Sequence, residues 1–270
     1  MNIKTCMLTA CLLVGALCTN AANPKPFTVP EVSNWKGGEG SFKPLDTSRI
    51  VAAPGSEEAL RIAQMLGQDY TTMIGTSLPV VAGKAAKGDI SLRLKADKKA
   101  APESYTLGIS PTGVTITSPT PQGLYWGTRT LLQLMENSAD GTSIPVGTIA
   151  DAPAYGKRGF MLDAGRKFMP MSYLYALVDA LSYYKMNTLH IHLNDNGFKY
   201  YYDDNWDKTQ AAFRMESDRF PGLTARDGSY SKKEFADLVR YAESKGVNII
   251  PEFDFPAHSL AFSRYKPEIG

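Results

Sequence analysis

The stretch KMNTLHIHLNDNGF, residues 185–198, decides how the second half of the chain folds. Thr188–Leu193 reads as a strand, and a helical pattern precedes it. Over Pro170–Lys185, the residues Leu174, Leu177, Val178 and Leu181 fall at i, i+3, i+4 and i+7. Ser231 and Glu234 form a capping-box pattern ahead of Phe235, Leu238, Val239 and Ala242, and Gly246 fits just past that helix's end. Gly159–Asp163 reads as the strand before this stretch and Val247–Ile250 as the strand after it. Strand, helix, strand, helix, strand predicts a parallel sheet covered by helices, either a barrel or a doubly wound fold. The linker Asn194–Ser229 is long for such a unit. Long loops after a strand's C-terminal end are often functional.

Upstream of Asp151-Ala152-Pro153 the pattern differs. Ser56 can cap a helix with Glu57 and Glu58 in its first turn, followed by Leu60, Ala63, Gly67, Tyr70 and Ile74 at helical spacing. Ile90, Leu92 and Leu94 alternate with polar residues, as do Tyr105, Leu107 and Ile109. Pro111-Thr112-Gly113 then turns the chain into Val114-Thr115-Ile116, a hairpin. A second helix covers roughly Gln122–Met135. Residues 43–152 are thus expected to form a small α+β domain, residues 22–42 an irregular lead-in rich in Pro, Gly and Lys, and residues 153–270 the α/β unit.

The N-terminus begins with Lys4 and a 13-residue apolar run, Cys6–Cys18, too short for a membrane span of about 20 residues. Thr19-Asn20-Ala21 then offers a small-x-small cleavage site. Residues 1–21 therefore read as a secretory signal peptide, cut after Ala21 or Ala22, and the protein as secreted or periplasmic. Leu8-Thr9-Ala10-Cys11 also resembles a bacterial lipoprotein box, which would make membrane attachment a matter of lipidation. All three cysteines lie in this segment, so a processed chain has no disulfide, thiol nucleophile or cysteine metal site. With 29 basic and 27 acidic residues the formal charge is +2, which gives no electrostatic case for nucleic acid.

In parallel α/β folds, active groups gather at the C-terminal strand ends. The first strand here ends in Asp163 and Arg166, the second in His190, His192, Asp195 and Asn196, the third in Glu252, Asp254 and His258. His190 and His192 project to one side of their strand. With a distant histidine and carboxylates they could bind zinc; the alternative is a pair of core histidines bonded to backbone, the expectation adopted for His190. Glu252 and Asp254 share a side only if the strand continues through Phe253, and Pro251 and Pro256 argue against that, so a structural role is expected for one of them.

RGFMLDAGRKF (Arg158–Phe168), KMNTLHIHLNDNGF and PEFDFPAHS (Pro251–Ser259) resemble successive barrel motifs of glycoside hydrolase family 20, the β-N-acetylhexosaminidases. Upstream, GDISLRL, ESYTLGIS and GLYWGTRTLLQLM resemble the small domain that precedes the barrel there. The resemblance implies a (β/α)8 TIM barrel of which this chain carries the first three strands. It also implies an N-acetylhexosamine-terminated glycan as substrate, with no metal or organic cofactor. Arg166 matches the arginine that holds hydroxyls of the terminal sugar. Asp195 and His258 match a pair that supports the general acid. In that family the substrate's own acetamide oxygen attacks the anomeric carbon, an aspartate orients it, and the adjacent glutamate protonates the leaving oxygen.

Three departures accompany the resemblance. No Asp-Glu dipeptide occurs anywhere in the sequence, and only 116 residues run from Tyr155 to Gly270, against roughly 250 for a whole barrel. The expectation is a chain truncated before its catalytic pair, with no catalytic residue of its own. The turn Asn194-Asp195-Asn196-Gly197 is shorter than the family's usual form, and Ala257 stands where glycine is common. A glycan-binding protein without catalysis and a metal-dependent amidohydrolase are the rival readings.

Overall fold

The computed structural model describes residues 21–269. The segment read as a signal peptide or lipoprotein box, with its three cysteines, lies outside the described residues, Ala21 excepted. Among the described residues, no helix is long and apolar enough to cross a membrane.

The first unit comprises β1 (Asn34–Phe42), β2 (Ile50–Ala52), α1 (Glu57–Ile74), β3 (Val80–Ala82), β4 (Ile90–Leu94), β5 (Tyr105–Ser110), β6 (Gly113–Ser118), α2 (Pro121–Glu136) and β7 (Ile144–Asp151). Its strands form one mixed sheet in the order β1-β7-β5-β6-β4-β2-β3. Ser56 caps α1 by accepting from the Ala59 amide, and β5 and β6 form the expected hairpin. Alternate residues of β5 are buried, and α1 and α2 pack side by side on that face. Helix α2 is apolar on more than one side and is buried along nearly its whole length, because the second unit covers the face the sheet leaves free.

The lead-in is less irregular than its composition suggests. Asn34–Phe42 is an edge strand, antiparallel to β7, with a register shift between Gly37 and Ser41. The glycines that make it read as loop serve a close backbone approach. A Cβ on Gly37 would sit 2.1 Å from the Asn23 carbonyl oxygen, so only glycine lets residues 23 and 37 meet.

The second unit comprises β8 (Gly159–Asp163), α3 (Met171–Tyr183), β9 (Thr188–His192), β10 (Asn194–Asn196), β11 (Ala211–Phe213), α4 (Lys232–Ser244), β12 (Asn248–Glu252) and α5 (Leu260–Tyr265). Strands β8, β9 and β12 are parallel, with β9 in the middle. This is the arrangement expected for the opening of a barrel. The predicted capping box on α4 is present. Strand β12 begins one residue later than predicted and runs through Pro251 to Glu252. Among the described residues it pairs with β9 alone, with Pro251 opposite Ile191. The long linker also carries structure: β10 and β11 pair antiparallel within it.

A buried ion pair joins the two units. Lys185, in the turn after α3 with a φ of 60°, places its Nζ 2.9 Å from the Tyr105 hydroxyl and 3.4 Å from Asp151. Tyr105 donates to Asp151 at 2.7 Å. Nearby, Arg158 pairs with Glu103, which also accepts from the Trp126 indole at 2.7 Å. Burial works to raise the Asp151 carboxyl, but the hydrogen bond from Tyr105 and the charge of Lys185 outweigh it and hold the group below its ordinary range. That contribution is present at neutral pH and is lost as pH falls through the folded-state value.

Removing one partner of a buried pair strands the other. Asp151→Asn is therefore expected to cost about 3 kcal/mol in urea unfolding. Adding Lys185→Met to that variant should recover part of the loss, and full additivity of the two costs would argue against the pair.

Candidate active site

The last residues of the three parallel strands lie in register: Asp163 beside His192, and His192 beside Glu252. Directly beyond them the chain turns sharply, and the turns supply the remaining side chains. Gly165 must be small because a Cβ there would lie 2.9 Å from both the Asp195 amide nitrogen and its Cβ. The DAGR turn can thus lie directly against the NDNG turn. This contact sets Arg166 beside Asp195.

Asp195 has no exposed side-chain surface. Its Oδ1 accepts from the Asn196 amide at 2.6 Å and pairs with His258 Nδ1 at 2.8 Å. Its Oδ2 pairs with His192 Nε2 at 2.7 Å and Arg166 Nη2 at 2.9 Å. The expected meeting of Asp195 and His258 is therefore present. His258 is 39% exposed on its side chain, adopts a φ of 56°, and its Nε2 has no protein partner among the described residues. A histidine held through one nitrogen, with the other facing open space, is arranged to act on a third group.

Arg166 is engaged on three sides. Nη1 donates to Asp163 at 2.9 Å, Nη2 reaches Asp195, and Nε donates to the Asn196 carbonyl at 3.3 Å. Nη2 also lies 3.4 Å from His258 Nδ1; with the proton of that nitrogen given to Asp195, one N–H on each of Nη1 and Nη2 remains for a ligand. Its charge also lies 4.8 Å from the centre of the exposed Phe198 ring.

His190 departs from expectation. It is only partly buried, and its Nε2 contacts the Glu252 carboxylate rather than backbone. The cause is the shared side of HIH: the Ile250–His190 and Glu252–His192 register sets the glutamate of β12 against both histidines of β9. Asp254 lies close by although the strand stops at Glu252. Burial and its hydrogen bond to Glu252 push the Asp254 carboxyl up. Burial also acts to raise Glu252, but hydrogen bonds from His192 and Asp254 and the nearby histidines bring it down. For His192, burial opposes a charged ring, yet the hydrogen bonds to Asp195 and Glu252 prevail and raise it above the ordinary histidine value.

Sequence reading passed over two residues that build this rim. Asn194, fully buried, donates to the Asp254 and His258 carbonyls at 3.0 and 2.9 Å and accepts from the Asp254 amide at 2.8 Å. It ties the loop after β12 to the end of β9. Arg214, also fully buried, donates to the Ala164 and Gly165 carbonyls at 2.9 Å each and pairs with Asp227 at 2.6 Å. It fixes the turn carrying Arg166 from behind. A polar residue next to a strand end was the only signal for Asn194; Arg214 had none, since its carbonyl partners at Ala164 and Gly165 and its carboxylate partner Asp227 lie in other segments of the chain.

Two groupings, His192–Asp195–His258 and His192–Glu252–Asp254, place one donor atom per residue within 4.8 Å of one another, close enough for a metal ion. In both, His192 presents its nitrogens to carboxylates at hydrogen-bond distance, so each grouping is also self-consistent as a set of hydrogen-bonded charges.

The profile for glycosyl hydrolase family 20, domain 2, matches residues 25–152, and that for the glycosyl hydrolase family 20 catalytic domain matches residues 155–270. A beta-hexosaminidase of Akkermansia muciniphila is 35% identical over 167 residues, covering 62% of this chain and 34% of that protein. One from Porphyromonas gingivalis is 27% identical over 258 residues, covering 86% of this chain and 30% of that protein. The solved Streptomyces plicatus N-acetyl-beta-hexosaminidase in complex with Thio-NAglucal superposes with a TM-score of 0.77 at 29% identity, over 93% of this chain and 50% of that one. The chain thus spans about a third of the length of these curated relatives. These matches replace the amidohydrolase reading, and with strands β8, β9 and β12 ordered as the opening of a barrel they lead to one assignment: the chain belongs to glycoside hydrolase family 20.

Proposed function

We propose that this chain is the sugar-holding and acid-supporting part of a β-N-acetylhexosaminidase that removes terminal N-acetylglucosamine or N-acetylgalactosamine from glycans. The observation that carries the reading is the junction of Arg166, Asp195 and His258, drawn from three consecutive strand ends onto one rim. Arg166 holds two adjacent sugar hydroxyls with its free donors, a task suited to a planar fork. Asp195 orients His258, whose outward nitrogen supports the acid. The reaction is substrate-assisted: the acetamide oxygen attacks the anomeric carbon while an acid protonates the leaving oxygen, an exception to the two-carboxylate scheme. The aspartate and glutamate for these steps come from an Asp-Glu segment that the 270 residues do not contain. The apolar run at Cys6–Cys18 supports action outside the cytoplasm, as a secreted or periplasmic protein.

A second reading, glycan binding without catalysis, draws on the exposed aromatic side chains Phe198, Tyr200, Tyr201 and Trp206 that follow β10. Rings of this kind stack on sugar faces. The discriminating observation is whether a Gly-Gly-Asp-Glu segment follows in the same polypeptide.

Purified residues 22–270 should release no nitrophenol from a nitrophenyl N-acetyl-β-glucosaminide; detectable turnover abolished by Arg166→Ala would show that the acid lies within this chain. In a polypeptide carrying both this chain and an Asp-Glu segment, Arg166→Ala should lower kcat/KM roughly a hundredfold. That corresponds to two charge-assisted hydrogen bonds at about 1.5 kcal/mol each. Unchanged kinetics would remove Arg166 from the sugar site.

A further inference from the structure

We propose that His192 is a positioning residue that carries two ring protons at neutral pH, an imidazolium wedged between Glu252 and Asp195 that fixes the face Asp195 presents to His258. The proposal rests on the reading of Asp195 and His258 as the acid-supporting pair.

The argument is one of donors and acceptors. His192 is 4% exposed, its Nδ1 is 2.7 Å from Glu252 Oε1, and its Nε2 is 2.7 Å from Asp195 Oδ2. A neutral imidazole has one N–H and one bare lone pair. A lone pair facing a carboxylate at that distance would be repulsive, so the second proton sits either on the ring or on a carboxylate. Asp195 leaves no place for it. Both of its oxygens already meet two donors each: the Asn196 amide and His258 on one, Arg166 and His192 on the other. Glu252 takes hydrogen bonds from His192 and Asp254, and these hold its carboxyl below the ordinary range. The proton falls to His192, whose affinity for it is raised by the same two partners against the opposing effect of burial.

The surroundings set the balance of charge. From β12 and its extension Glu252 and Asp254 face the ring, and from the turn after β9 Asp195 does. Arg166 reaches the same Asp195 oxygen from the β8 side. His190 shares Glu252 with His192, and the His258 ring stands edge-on at 5.5 Å between centroids. Three carboxyl groups thus surround the ring, and Arg166 is the cation opposite. A charged His192 locks Asp195 Oδ2 in place, which leaves Oδ1 aimed at His258.

The chain has only three histidines, so a 15N-histidine-labelled sample gives a spectrum assignable by single substitutions. At about pH 7, above the ordinary histidine value of about 6.5, both ring nitrogens of His192 should be protonated. A neutral tautomer there overturns the proposal. Glu252→Gln keeps an acceptor and removes one charge, and should lower the His192 midpoint by about one unit; an unmoved midpoint also overturns it. In His192→Gln, the His258 Nδ1 proton resonance should shift or be lost, and an unchanged His258 signal refutes the positioning role. None of these readouts needs substrate. Failure of the hexosaminidase reading would appear separately, as a catalytically silent full-length protein with His192 still doubly protonated.

Discussion

The Asp195 carboxylate is the point on which the rim depends. It is sealed from solvent and collects donors from three strand ends and one backbone amide. A buried carboxylate without partners is among the costliest groups a protein can hold, so every element that delivers a donor to it is constrained in position. Gly165 lets the first turn come close, Arg214 braces that turn, and Asn194 draws the loop after β12 inward. The site is a set of loops held in place by one charge and its partners.

The N-terminal unit serves that arrangement at a distance. Among the described residues it contributes no side chain to the rim, yet it buries the outer face of α2 against the second unit and locks Lys185 through Asp151 and Tyr105. Lys185 opens the turn that leads directly into β9, the strand carrying both histidines. Its left-handed backbone conformation is a local cost held in place by that buried pairing. The middle strand of the site is therefore anchored at its start by one domain and finished at its end by Asp195.

Much of this was readable in advance. The βαβαβ order followed from periodicity, and the helix caps at Ser56 and Ser231 from local chemistry that depends on only four residues. The meeting of Asp195 with His258 followed from resemblance and from the rule that strand ends share a rim. Other features were not readable, for identifiable reasons. The strand Asn34–Phe42 hid behind glycines whose purpose is contact with a distant backbone. The sequence pattern places His190 in the core because period-two alternation gives the side of a strand and not what lies on the neighbouring strand.

The sequence by itself determined the βαβαβ order of the second unit, the helices α1 and α2 and the family, because these rest on short-range patterns and on motifs that survive as strings. Only the tertiary structure decided which carboxylates His190 and His192 face, that Arg166 is already shared between two acids, and that His192 stands between Glu252 and Asp195. Those outcomes depend on the register between β9 and β12 and on the fit of one turn against another. The His192–Glu252 partnership is a property of the distance between segments 60 residues apart, and no local pattern encodes it.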